Sequence, residues 1–120
     1  MPPVESRLRI RDDNSITVVE FVDRNILDEA NIQQIGDEIT SIIENTAQPR
    51  LLISFTNVEH LSSAALGTLI TINTKIRAQS GQLHLADIGP QIYEVFVITK
   101  LNKLFSIYET SNDAMQAFNS

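Results

Sequence analysis

Two adjacent serines, Ser62 and Ser63, stand where the loop after an apolar strand gives way to a helical pattern. A serine hydroxyl at the start of a helix can accept hydrogen bonds from the first backbone N–H groups and so cap the helix. It can also be held out for covalent chemistry, because the unpaired amides and the positive end of the helix dipole favour an attached phosphate. The pattern therefore predicts either a helix cap or a serine that is available for modification.

A serine could also act as the nucleophile of a hydrolase. Ser63 and His60 lie three residues apart, and Asp28 or Asp87 could supply the carboxylate, since catalytic triads depend on geometry rather than on chain order. However, the glycines of a nucleophile elbow are missing around Ser63. The four glycines of the chain are scattered and form neither a P-loop nor a dinucleotide-binding fingerprint. We therefore expect that the chain is not an enzyme.

Composition argues against metal, cofactor and nucleic-acid sites. The chain has no cysteine, and its two histidines, His60 and His84, fall in separate predicted elements without a carboxylate at ligand spacing. A formal net charge of −6 opposes binding to nucleic-acid phosphates. We expect no metal, no cofactor and no nucleic-acid partner.

The cellular setting is predicted from what the sequence lacks. The apolar runs are far shorter than the ~20 residues of a membrane span, and residues 1–5 lack the apolar region of a signal peptide. The absence of cysteine suits a reducing compartment. We expect a cytoplasmic protein that does not enter the membrane, and a length of 120 residues predicts a single domain over residues 1–120.

Hydrophobic periodicity predicts alternating strands and helices. Four isoleucines at positions 32, 35, 39 and 42 recur every three or four residues, which is typical of the core-facing side of an amphipathic helix, here capped by Asp28. The nearly continuous apolar run at residues 51–55 is typical of a central strand covered on both faces. The other predicted strands are residues 8–11, 15–22, 82–87 and 105–108, and the other predicted helices are residues 63–78, 90–99 and 111–118.

The resulting order is β-β-α-β-α-β-α-β-α. Strands that alternate with helices predict an α/β fold with a mostly parallel central sheet, and the opening hairpin adds an antiparallel edge strand.

The segment around the two serines resembles a known family motif. Residues 61–69, LSSAALGTL, are similar to the D-S-S-G-L-G-x-x-L signature of STAS domains, in particular the anti-sigma factor antagonists. The resemblance covers nearly the whole chain. It includes Leu27-Asp28 followed by Ala30 at the first helix, Leu83 and Leu85 followed by Pro90 and Val95, residues 105–108 at the last strand, and Ala114.

The resemblance implies a regulatory function. Aligned on Leu66-Gly67, Ser63 takes the position of the phosphorylated serine and Ser62 that of the usual aspartate. Members of this family bind an anti-sigma factor or switch serine kinase, a histidine-kinase-like ATPase, and are switched off by phosphorylation, which a serine phosphatase reverses. The partner-binding residues that the resemblance implies are Asp28, Leu61, Ser62, Ser63, Ala64 and Gly67.

Several alternatives stay open at this point. The sequence also resembles an S-S-A-G-L branch of the family, in which Ser62 would be the phosphorylated residue. Either serine can be only a helix cap, and Asp28 can be a cap or a partner contact. A STAS-type scaffold or transport accessory module that is never phosphorylated is the alternative function. We expect a monomer.

Overall fold

The computed structural model describes residues 8–118, and this part of the chain contains seven strands and four α-helices. The predicted single domain over residues 1–120 stays a prediction, since residues 1–7 and 119–120 lie outside the described residues. The strands are β1 (Leu8–Asp13), β2 (Ile16–Phe21), β3 (Asn25–Ile26), β4 (Arg50–Ser54), β5 (His60–Leu61), β6 (Gln82–Ala86) and β7 (Ser106–Tyr108). The helices are α1 (Glu29–Glu44), α2 (Ser63–Ala78), α3 (Pro90–Ile98), α4 (Ser111–Phe118) and a short 3₁₀ helix (Leu101–Lys103).

The main sheet has five strands in the order β1-β2-β4-β6-β7. β1 pairs antiparallel with β2, and the other neighbouring strands pair in parallel. The hairpin turn places Asn14 and Ser15 at φ 52° and 70°, the left-handed conformation that a tight hairpin turn requires. The predicted mixed sheet with an N-terminal antiparallel hairpin is therefore confirmed, and β4 lies at its centre as predicted.

Two short strands were not predicted. β3 and β5 form a separate parallel pair, in which Asn25 lies opposite His60 and Ile26 lies opposite Leu61. Each strand has only two residues, so neither shows the alternation by which a strand is recognised in sequence. The observed order is thus β-β-β-α-β-β-α-β-α-β-α.

The sheet is covered on both faces. Leu51 and Ile53 of β4 belong to the larger core cluster, which also contains the buried side chains of α1, α2 and α3. Leu52 points the other way, into a smaller cluster with Ala114 and Phe118 of α4. Opposite directions of successive side chains follow from strand geometry, and they explain why the run at residues 51–55 is apolar throughout.

The core face of α1 differs from the prediction at one position. Ile32, Ile35 and Ile39 are buried as predicted, but the fourth core isoleucine is Ile43, whereas Ile42 is only half-buried. Successive helical residues are rotated by about 100°, so Ile43 falls on the line of the first three and Ile42 falls beside it.

No helix within residues 8–118 has the length and apolar character that a membrane span needs.

Close packing at Gly81 predicts that a larger residue at this position destabilises the fold. A Cβ atom at this position would lie 2.3 Å from the Pro49 carbonyl oxygen, which accepts a hydrogen bond of 2.8 Å from the N–H of Gln82 at the start of β6. We expect Gly81→Ala to lower the free energy of unfolding by about 1–3 kcal/mol, because the backbone at Pro49 must move. Chemical denaturation measures this effect. An unchanged free energy of unfolding would show that the backbone at Pro49 can move without a loss of stability.

Candidate functional site

The short β3–β5 pair brings the starts of α1 and α2 together. β3 ends two residues before the N-cap Asp28, and β5 ends one residue before the N-cap Ser62. The N–H of Ser62 donates to the carbonyl of Ile26 at 3.1 Å. Two helix N-termini therefore lie side by side. We call residues 27–28 and 61–64 the serine corner.

Ser62 is the N-cap of α2. Its backbone is extended, at φ −80° and ψ 165°, and its hydroxyl oxygen accepts a hydrogen bond of 3.2 Å from the N–H of Ala65. Its carbonyl oxygen accepts from the N–H of Leu66 at 3.1 Å. The side chain is half-buried. The capping function that the sequence allowed for either serine is thus performed by Ser62.

Ser63 is the first residue of α2, and its side chain is exposed. Among residues 8–118, its hydroxyl has no hydrogen-bond partner, and the backbone N–H groups of Ser63 and Ala64 have no acceptor. The helix therefore presents one exposed, unpaired hydroxyl beside two unpaired N–H donors at its positive end.

Asp28 caps the neighbouring helix. Its carboxylate accepts a hydrogen bond of 3.1 Å from the N–H of Ala30, and its carbonyl accepts from Ile32 at 3.0 Å. The side chain is nevertheless exposed. The cap is therefore present in the structure, whereas the partner contact of Asp28 stays a prediction.

The other predicted site residues differ in burial. Leu61 is half-buried and packs against the main core, while Ala64 and Gly67 are exposed. Gly67 follows Ser63 by four residues, so both lie on the same side of α2. A Cβ atom at Gly67 would meet nothing within 4 Å, so packing inside the domain does not require a glycine there.

The fold agrees with comparisons to known proteins. The family model of the STAS domain matches residues 7–114. The chain belongs to the STAS domain family. The predicted resemblance is thereby confirmed.

Individual relatives of this STAS domain are distant in sequence. The protein BtrV of Bordetella bronchiseptica, provisionally described as an anti-sigma factor antagonist, is 23% identical over 95 residues, covering 79% of this chain and 81% of that protein. An anti-sigma-factor antagonist (STAS) domain protein from Planctomyces limnophilus superposes with a TM-score of 0.85 at 23% identity, over 94% of this chain and 98% of that one.

The Bacillus cell fate determinant SpoIIAA, solved in its phosphorylated form, superposes with a TM-score of 0.71 at 17% identity, over 92% of this chain and 98% of that one. At these identities, both structural likenesses establish the fold alone.

The residues of the hydrolase alternative are held apart in other contacts. His60 pairs through Nδ1 with the side-chain oxygen of Asn25 at 2.7 Å, and Asp28 is bound to the start of α1. Asp87 accepts hydrogen bonds from other side chains, described below. In the part of the chain that the structure describes, no serine–histidine–carboxylate triad is formed.

His84 of this STAS domain is a buried histidine with its own partners. Its Nδ1 lies 3.1 Å from the carbonyl oxygen of Ala114, and its ring stacks on Phe118 with 3.8 Å between the ring centroids. Burial lowers the pKa of His84, while the hydrogen bond to Ala114 acts in the opposite direction. Residues 8–118 contain no cluster of three side chains suited to a metal ion.

Asp87 has a larger structural role than sequence reasoning indicated. It follows β6 and adopts a left-handed φ of 60°. Its carboxylate also accepts hydrogen bonds from the hydroxyls of Ser54 (2.7 Å), Thr56 (3.2 Å) and Ser111, and from the Ser111 N–H (3.1 Å). Asp87 thereby joins the ends of β4 and β6 to the start of α4.

A groove beside the serine corner was also missed. It has a volume of about 250 Å³ and lies between β5 and α3, with Leu27, Leu61, Ile92 and Val95 among its lining residues. Leu27 is 56% exposed and Val95 is 39% exposed. The exposed apolar residues of α3 could have suggested such a surface, but its position next to Ser63 depends on how α3 packs.

Gly67 tests whether a glycine inside α2 lowers the stability of this STAS domain. Glycine inside a helix is less stable than alanine by roughly 0.5–1 kcal/mol, and Gly67 has free space around it. We therefore expect Gly67→Ala to raise the free energy of unfolding by about that amount, opposite in sign to Gly81→Ala. Chemical denaturation of both variants checks the pair, and a loss of stability in Gly67→Ala would contradict the free space seen here.

Proposed function

We propose that this STAS domain is an anti-sigma factor antagonist that binds an anti-sigma factor or switch serine kinase, and that phosphorylation of Ser63 by that kinase releases it. The observation that carries the proposal is the exposed hydroxyl of Ser63, which has no partner among residues 8–118 and stands at the first position of α2. The STAS family membership and the phosphorylated SpoIIAA neighbour support this assignment.

The cap favours Ser63 over Ser62 as the acceptor. The hydroxyl of Ser62 is half-buried and accepts the hydrogen bond from the N–H of Ala65, so a phosphate on it would have to replace that contact. The hydroxyl of Ser63 can be modified without the loss of any contact described here. A kinase would therefore find the exposed hydroxyl of Ser63 more accessible than the half-buried hydroxyl of Ser62.

The first turn of α2 can accommodate the phosphate. The N–H groups of Ser63 and Ala64 have no acceptor within the described residues, and the positive end of the helix dipole favours an anion. Such an interaction contributes typically ~0.3 to 1 kcal/mol, and up to ~2 when it is partly buried. We therefore expect that phosphorylation leaves the fold intact.

The same phosphate would oppose partner binding. It adds roughly −1.5 to −2 charges to a surface that already carries the exposed carboxylate of Asp28 and whose other predicted contacts, Leu61, Ala64 and Gly67, are uncharged. Leu27 and Val95 of the adjoining groove offer apolar area for the same partner. A dianion left unpaired in this contact costs several kcal/mol, which is the physical basis of release.

In this proposal the domain is a substrate and not an enzyme. The kinase is a cytoplasmic histidine-kinase-like ATPase, Asp28 contacts it beside Ser63, and a serine phosphatase restores the binding form.

Mass spectrometry of protein from its native cells tests the modification. We expect wild-type protein to carry one phosphate that phosphatase treatment removes, Ser63→Ala to carry none, and Ser62→Ala to retain it. Peptide fragmentation locates the group. A phosphate on Ser62 would contradict the choice of residue, and its absence under every growth condition would support a constitutive scaffold or transport accessory module instead.

A further inference from the structure

We propose that a second site, in the C-terminal half of α2, binds a small oxyanion through a phosphate or carboxylate group. The site is a surface cavity of about 200 Å³ between α2, β6 and β7, and its polar lining residues are Asn73, Arg77, Gln82, His84 and Ser106. Asn73 follows Ser63 by ten residues, or about 15 Å along the helix, so the cavity is distinct from the serine corner.

Asn73 is the observation that points to a ligand. The residue is only 6% exposed, yet its amide has no hydrogen-bond partner among residues 8–118. Its polar atoms are not fully enclosed and reach the cavity, whereas the neighbouring core positions of α2, Leu69, Ile72 and Ile76, are apolar. The amide lines the cavity, where a bound molecule can satisfy its donor and acceptor.

Arg77 determines the charge of the ligand. It lies one turn after Asn73 on α2, lines the same cavity, and takes part in no ion pair within the described residues. Among residues 8–118, no aspartate or glutamate lines the cavity, although the chain has 15 acidic residues against nine lysines and arginines. A guanidinium group and an amide without a competing carboxylate suit a planar carboxylate or a phosphate, to which arginine can donate two parallel hydrogen bonds.

The end of α2 does little to oppose an anion here. A helix C-terminus is usually unfavourable for negative charge because its last carbonyls are unpaired. In this structure the Ile76 carbonyl accepts from the N–H groups of Gln79 and Gly81, and the Arg77 carbonyl accepts from Ser80. These bonds are 2.9–3.1 Å long and direct the carbonyls into the turn that follows. The volume suits a ligand smaller than a nucleotide.

NMR titration of the ¹⁵N-labelled protein tests the site, with inorganic phosphate and malonate as probes and chloride at matched ionic strength as the reference. We expect a saturable shift of the Asn73 side-chain amide with at least one probe, and the probe that saturates identifies the group as phosphate or carboxylate. Arg77→Gln should weaken that binding about tenfold or more. Lys75→Gln removes the same charge from α2 outside the cavity and should change the affinity less than about twofold.

Asn73→Leu separates ligand binding from a structural role. Leucine has the same number and branching of side-chain heavy atoms, so we expect it to abolish the saturable shifts and to raise the free energy of unfolding in chloride buffer. The proposal is overturned if neither probe saturates, if Arg77→Gln and Lys75→Gln bind alike, or if Asn73→Leu lowers stability. None of these results depends on phosphorylation at Ser63.

Discussion

The Ser63→Asp variant is expected to bind the partner kinase about 100-fold more weakly than Ser63→Ala does. The aspartate places a permanent negative charge at the first position of α2, where a docked partner would have to cover it without a compensating cation. Alanine keeps the surface uncharged and should bind as the wild-type protein does. The difference arises at the contact and not in the fold, because an acidic residue in the first turn stabilises a helix by typically 0.3–1 kcal/mol.

Calorimetry with the purified kinase measures this difference. The proposed kinase is sought by co-purification with the unphosphorylated protein from its native cells, and a histidine-kinase-like ATPase is the expected partner. Thr74→Asp is the matched control, since it adds the same charge to an exposed position of α2 three turns from Ser63. Equal affinities of Ser63→Asp and Ser63→Ala would refute the switch, and an equal loss in Thr74→Asp would show a general charge effect.

Asp87→Asn is expected to destabilise the domain by about 2–3 kcal/mol at pH 7. The change keeps the size of the side chain, and asparagine tolerates the left-handed φ of 60°. It replaces one carboxylate oxygen by an N–H₂ group that cannot accept the hydrogen bonds of Ser54 and Ser111. Chemical denaturation at pH 7 measures the loss.

The pH dependence of this loss follows from the pKa of Asp87. Burial alone raises that pKa, but the hydrogen bonds from Ser111, Ser54 and Thr56 outweigh burial and hold it below the ordinary value of 3.8. A carboxyl group with a lowered pKa in the folded state stabilises the fold fully above its unfolded pKa, and this contribution disappears as the pH falls through the folded pKa. The stability difference between wild type and Asp87→Asn should therefore be constant near neutral pH and shrink below about pH 4.

Asp12→Asn provides the control for net charge. Asp12 is exposed in the opening hairpin and accepts one hydrogen bond of 3.3 Å from Thr17, so its loss should change stability by less than about 0.5 kcal/mol. If Asp87→Asn shows the same small effect, or a difference that is unchanged down to pH 2, the hydrogen bonds at Asp87 do not stabilise the fold as argued.

Most of the fold could be predicted because the patterns that indicate it are local. One-sided burial repeats every two residues in a strand and every 3.6 in a helix, which was enough for the five-stranded sheet and the four helices. The burial pattern gave a wrong or incomplete prediction in two places. It placed Ile42 in the core instead of Ile43, and it could not detect strands of two residues such as β3 and β5.

The candidate site was predictable only in part. The serine pair, Asp28 and Gly67 could be recognised in the sequence. They lie at or near the predicted starts of two helices. The Asp87 hydrogen bonds and the Asn73–Arg77 cavity were missed. Ser54 and Ser111 are 33 and 24 residues from Asp87, and contacts at such separations leave no periodic signal.

The sequence by itself determined the STAS family, the order of the main elements and the presence of two hydroxyls at the start of α2. The tertiary structure decided which of the two hydroxyls caps the helix. The N–H of Ser62 bonds to Ile26 on β3, which keeps Ser62 extended, makes it the cap and starts the helix at Ser63. That bond depends on the pairing of strands 35 residues apart, as at Asn25 and His60, and only the folded chain brings them together.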